Sequence, residues 1–173
     1  MRDNPLKTKL ARGETVFGTF VFEFASPGMA RIAKSAGCEY IILDMEHSGW
    51  GFETVKDQIQ FARGAGIVPL VNPPGDDFNL ITRSLDLGAK GILVPVVETK
   101  AQAEAIVRAT RYPPHGRRGS AFGVELVFGG SGGDGVGGTG VAHGDDVAAL
   151  LESFDEGFAG EGLREAEGRG EER

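Results

Sequence analysis

Four short apolar runs, at 16–22, 40–44, 67–71 and 91–97, start about every 25 residues and constrain this 173-residue chain more than any other feature. They are rich in Val, Ile, Leu and Phe and lack clean polar alternation, the pattern of parallel strands buried on both faces. Between them lie segments with helical spacing and terminal signals. Ser26-Pro27 reads as an N-cap with proline at the first helical position; Met29, Ile32, Ala33 and Ala36 share a face, and Gly37 stands where a C-terminal glycine is expected. Phe52, Val55, Ile59 and Ala62 make a second stripe, and Phe78, Ile81 and Leu85, ending at Gly88, a third. Thr99-x-x-Gln102 is a capping box that opens a fourth helix, with Ala103, Ile106, Val107 and Thr110 inward. A shorter helix, capped by Asn4-Pro5 and carrying Leu6 and Leu10, closes at Gly13. Right-handed crossovers make successive parallel strands neighbours. The pattern is therefore about four β/α units, either of a (β/α)8 TIM barrel or of an open doubly wound sheet. Both architectures place ligands at the carboxyl ends of the strands.

A whole barrel takes roughly 200 to 250 residues, more than this chain has. The regular pattern ends after Arg118-Gly119, and the composition changes with it. Of 18 Lys+Arg and 25 Asp+Glu, 15 and 13 fall before residue 124, leaving 3 and 12 for the last third. Residues 129–144 read GGSGGDGVGGTGVAHG, and from Val124 onward there is no Lys, Asn, Gln, Ile, Pro, Met, Cys, Trp or Tyr. Glycine-rich, acidic sequence with few aromatics cannot bury enough apolar area to offset chain entropy. The expected division is a half-barrel over 1–123 and an unrelated, disordered acidic tail over 124–173, with one weak helix over 145–158. A shifted reading frame or a truncated gene would produce such a junction.

Several function classes are excluded on the same grounds. The acidic tail repels nucleic acid and anionic membrane surfaces, and no run approaches the roughly 18 apolar residues needed to span a bilayer. A single cysteine, Cys38, rules out an intrachain disulfide framework and fits a reducing, cytoplasmic setting. Gly130-x-Gly132-x-x-Gly135 matches a dinucleotide fingerprint, but no amphipathic helix follows it at once, so chance in a glycine tract explains it better.

The most informative segment is Tyr40-Ile-Ile-Leu-Asp44-Met-Glu46-His47-Ser-Gly-Trp50. A buried strand ending in Asp, Glu and His delivers three titratable groups to the edge where barrel enzymes do chemistry. Histidine titrates near neutrality, and a carboxylate beside it fixes its tautomer. The competing explanation is a polar loop that caps the next helix. Asp86 lies in the last turn of a helix, where the macrodipole disfavours negative charge, so either a partner compensates it or solvent does. Arg111-Tyr-Pro-Pro-His-Gly-Arg-Arg118-Gly is a rigid basic turn, suited to an anionic substrate, a neighbouring subunit or a plain connection. Trp50 and Phe52 read as packing at a helix start.

Together, Gly18-Thr19, Asp44-x-Glu46-His47, Leu85-Asp86-x-Gly88-Ala89, Val94-Pro95 and Arg111-Tyr-Pro-Pro-x-Gly-x-Arg118-Gly119 resemble the HpcH/HpaI-type aldolases of the citrate lyase family. The resemblance runs from about residue 5 to Gly123. It implies a (β/α)8 barrel that cleaves a 4-hydroxy-2-oxo acid to pyruvate and an aldehyde, with a divalent metal (Mg2+, Mn2+ or Co2+) holding the 2-oxo acid, and a homo-oligomeric assembly. It assigns His47 as the acid/base catalyst and Asp86 as the group that raises its basicity, within one subunit or across an interface. Asp44 and Glu46 would shape the site. Asn72 stands where the family usually has a substrate-binding arginine. The family's metal-binding Glu and Asp lie on later strands, and no segment of this chain resembles them. The alternative to an active lyase is a truncated or frameshifted half-barrel without activity.

Overall fold

Three of the four apolar runs become strands of one parallel sheet, because each is flanked by a helix able to cover it. The computed structural model describes residues 4–119. The expected boundary at 123, the 130–135 glycine segment and the helix expected over 145–158 lie outside these residues. The strands are β1 (Gly18–Val21), β2 (Tyr40–Asp44) and β3 (Val68–Asn72), in the order β1-β2-β3. Gly18 pairs with Tyr40, Tyr40 with Val68, and Asp44 with Asn72. The helices are α1 (Pro5–Ala11), α2 (Met29–Ser35), α3 (Phe52–Gly64), α4 (Phe78–Asp86) and α5 (Lys100–Thr110).

The period of two along each strand divides the sheet into two faces. Val21, Ile41, Leu43 and Val71 meet the helical layer in one core with Ala30, Ala33, Val55, Ile59, Ala62, Ile81, Leu85 and Ile106. Full burial of such aliphatic side chains stabilises by roughly 2 kcal/mol each. On the other face Ile42, Val68 and Leu70 pack on Leu6 of α1, with Leu10, Val16, Tyr40 and Leu93 around them. Asn4 caps α1, accepting from Lys7 N–H at 3.4 Å, and its amide donates to the Lys90 carbonyl at 3.3 Å. The stub thus plugs the amino-terminal end of the sheet's inner face.

The fourth run departs from expectation. It makes one parallel bridge, Val71 to Ile92, with Val71 N–H donating to Gly91 and Leu93 N–H to Val71. The reason lies two residues further on: Pro95 has no N–H to continue the ladder, and Val96 takes a left-handed conformation, φ 54°. The described region therefore holds three strands and the start of a fourth rather than four full strands. A second departure concerns Ser26, which does not cap a helix; α2 begins at Met29 with Gly28 at the cap. Ala30 and Ala33 carry its buried face, and Ile32 is exposed. Most of the remaining helix signals hold: the Val55, Ile59, Ala62 stripe is buried, Asp77 caps α4, and the Thr99/Gln102 capping box is complete, but Phe78, expected inward on α4, is exposed while Ile81 and Leu85 are buried. Gly37 and Gly88 end α2 and α4 with φ of 92° and 108°.

Candidate active site

The inner face of the sheet continues past Ile42 and Leu70 to Asp44 and Asn72, so register alone places these two polar side chains together at the carboxyl edge. Asp44 is buried and ends β2. Its Oδ1 accepts from the backbone N–H of Glu46 at 2.7 Å and of His47 at 2.9 Å, folding Asp44-Met-Glu-His47 into a tight turn. Ser48 Oγ closes the turn by donating to the Asp44 carbonyl, and in turn accepts from Trp50 N–H at 3.2 Å. The turn brings the His47 ring back over the carboxylate, with Nδ1 3.2 Å from Asp44 Oδ2 and 3.7 Å from Glu46 Oε2.

Burial pushes the Asp44 carboxyl up, but the hydrogen bonds from the His47 backbone, the His47 ring and the Glu46 backbone outweigh it and hold it below the usual aspartate range. Asp44 is therefore ionised near neutral pH and can only accept, so the His47 nitrogen facing it carries the hydrogen. In the neutral ring this leaves Nε2 as the free base. With a side chain 69% exposed, His47 presents that nitrogen to solvent at the sheet edge.

The structure brings Asp44, Glu46, His47 and Asn72 together and leaves Asp86 apart. Asp86 ends α4, and the chain after it reaches Lys90, whose N–H donates to Pro69 near the start of β3. Asp86 thus lies at the amino-terminal edge of the sheet, opposite to His47. Its partner is Arg118, whose Nε and Nη2 donate to Oδ1 at 3.1 and 2.7 Å. Arg118 also lies 4.7 Å from the Tyr112 ring centre. The basic turn folds back to reach this pair: Gly116 N–H donates to Tyr112, Arg117 N–H to Arg108 and Arg118 N–H to Arg111. A Cβ on Gly116 would collide with the Arg111 carbonyl, so only glycine closes the turn. The compensating charge that Asp86 needs at a helix end is this arginine, 32 residues on, and no local pattern joins the two.

Asn72 completes the cluster. It is 4% exposed, and its Nδ2 donates to Glu46 Oε2 at 3.1 Å and approaches Asp44 Oδ1 at 3.4 Å. The amide serves the two carboxylates. Trp50 and Phe52 pack partly buried on the core, and Arg83 covers the Phe52 ring at 4.2 Å.

The donor set does not fit a divalent metal at this edge. The Asp44 oxygens are already engaged by backbone and ring N–H groups, Glu46 Oε2 by an amide, and the described residues contain no group of three His, Cys, Asp or Glu side chains able to hold an ion. Among the described residues no helix is long and apolar enough to cross a membrane.

A parallel β/α sheet with an acid-held histidine at its carboxyl edge is the arrangement expected of part of a (β/α) barrel. Solved structures agree: an HpcH/HpaI aldolase from Desulfitobacterium hafniense DCB-2 superposes with a TM-score of 0.67 at 35% identity, over 71% of this chain and 48% of that one. The fold is a partial (β/α)8 barrel. The HpcH/HpaI aldolase/citrate lyase family profile matches residues 17–153, and the chain belongs to that family. It is 39% identical over 126 residues to a hydroxypyruvate/pyruvate aldolase of Roseobacter denitrificans, covering 73% of this chain and 49% of that protein. It is likewise 39% identical over 121 residues to a 2-keto-3-deoxy-L-rhamnonate aldolase of Klebsiella pneumoniae, covering 70% and 45%. The chain spans about half the length of the curated relatives it matches.

Proposed function

We propose that this chain carries the acid/base portion of an aldolase that cleaves a 4-hydroxy-2-oxo acid to pyruvate and an aldehyde in the cytoplasm. The observation that carries the reading is the His47 ring, held through Nδ1 by ionised Asp44 and open at Nε2. In the cleavage direction Nε2 takes the proton of the substrate's 4-hydroxyl. The bond between C3 and C4 breaks, the C4 oxygen becomes the aldehyde carbonyl, and the electron pair passes to the pyruvate enolate, which takes the proton back from Nε2 at C3 and returns His47 to the neutral base. Asp44 stabilises the imidazolium that forms in the first step. Glu46 shapes the wall beside the ring. Mg2+, Mn2+ or Co2+ is expected from the resemblance alone, and the described residues do not fit such an ion. Asp86, expected from the same resemblance to raise the basicity of His47, enters this reading only through contact between two copies in a homo-oligomer, since within one chain it lies at the far edge of the sheet.

A second reading, an inactive partial barrel, is favoured by one observation. Asn72 spends its amide on Asp44 and Glu46, so the position that should steady the enolate has no donor left for it. A pyruvate-release assay on the full chain, with a 4-hydroxy-2-oxo acid and each of the three metals, separates the readings. Turnover that drops on the order of 10²- to 10⁴-fold in His47→Ala supports the lyase; a native chain without turnover leaves the inactive barrel.

A further inference from the structure

We infer that Asn72 is a positioning residue, a latch whose single amide nitrogen ties Glu46 to the Asp44–His47 pair and so gives the imidazole a second carboxylate neighbour. The inference deepens the proposed function and rests on its assignment of His47 as the base. Three observations carry it. First, register fixes the latch: Asn72 pairs with Asp44 across β2 and β3, and the ladder extends one step further through Met45 N–H donating to Asn72 at 2.8 Å. Second, one nitrogen lies 3.1 Å from Glu46 Oε2 and 3.4 Å from Asp44 Oδ1. Two carboxylates that close repel, and an NH2 group, with two diverging hydrogens, is the neutral group that can serve both. Third, Asn72 Oδ1 is buried without a hydrogen-bond partner in the described structure. Leaving an acceptor unsatisfied is unfavourable. Turning the amide over would satisfy neither carboxylate and would set a third oxygen against them, so the carboxylates determine which way it faces.

The local turn holds Asp44 through two backbone N–H groups whatever stands at position 72. Among the described residues Glu46 has no such anchor: its side-chain partners there are Asn72 and His47. The latch therefore acts on Glu46, and through it on the ring. Aspartate at 72 would keep the shape and lose both donors, and leucine would lose them without adding charge.

The test is a coupling measurement on the full chain with 15N-labelled histidine. Glu46→Gln shifts the His47 ring-nitrogen resonances when Asn72 is present, and the shift is lost when the same change is made in Asn72→Leu. An equal shift in both backgrounds overturns the inference. If Asn72→Leu does not fold, Glu46→Ala decides alone: one of the two Asn72 side-chain amide protons then exchanges faster with solvent while the other keeps its protection. Identical exchange of both protons in the native and Glu46→Ala chains overturns the latch. Pyruvate release measured on the same samples keeps the two readings distinguishable, because coupling without turnover removes the proposed lyase and leaves the latch standing.

Discussion

At the scale of single residues, Asp44 dominates, since a buried carboxylate is tolerated only where donors replace its lost water. It has backbone N–H groups from Glu46 and His47, the His47 ring and the Asn72 amide. Its folded pKa lies below the ordinary value near about 3.9. For a depressed carboxylate the sign is fixed: the stabilisation is fully present above the unfolded pKa and disappears as pH falls through the folded one. Urea unfolding of the native chain should therefore show stability declining from about pH 4 downward, with a shallower decline in Asp44→Asn. Identical pH slopes would refute the assignment. The same variant turns an NH2 group toward His47 Nδ1 and should lower any turnover by on the order of 10³-fold, through the wrong ring tautomer. This pair was legible in the sequence because three residues of one turn make it. The role of Asn72 was not, because the direction of an amide depends on a cross-strand neighbour 28 positions away.

At the scale of elements, the joint between the end of α4 and the 111–119 turn depends on the Asp86–Arg118 pair. Arg118 is 6% exposed and Asp86 about a third, so the arginine bears most of the desolvation and losing its carboxylate is costly. Asp86→Ala should destabilise the chain by about 2 kcal/mol, less than a fully buried pair because Asp86 is partly solvated and sits unfavourably at a helix C-terminus. Denaturant titration measures this, and a second chain, Asp86→Ala with Arg118→Met, should recover part of the loss. A cost within a few tenths of the native value would mean that the turn is held by other contacts. Helix stripes and caps were readable here because they are local: Val55, Ile59 and Ala62 recur at one period, and Thr99 meets Gln102 three residues on. The early end of the fourth strand is not legible in the sequence, because an apolar run says nothing of the left-handed turn at Val96 that leads it out of the sheet.

At the scale of the molecule, the described residues cover the helical face of the sheet and cover its inner face only in part. α1 shields Ile42, Val68 and Leu70 at the amino-terminal end. Beside Ile42 in register, Phe20 is 44% exposed, and Phe22 and Phe24, just beyond β1, are 49% and 69% exposed. A barrel fills its interior with side chains from all its strands, and the described region supplies three strands and one bridge. Exposed aromatics of this size in one segment, next to a strand paired on one side only among the described residues, favour association over a free surface. The purified full chain should sediment with a mass that rises with concentration. Phe20→Ser together with Phe24→Ser should shift that rise to higher concentration without lowering the urea midpoint, because neither side chain belongs to the covered core. A native chain that stays monomeric across the accessible range, or a double variant that unfolds earlier while associating as before, would show that these phenylalanines are already covered and that the inner face is complete.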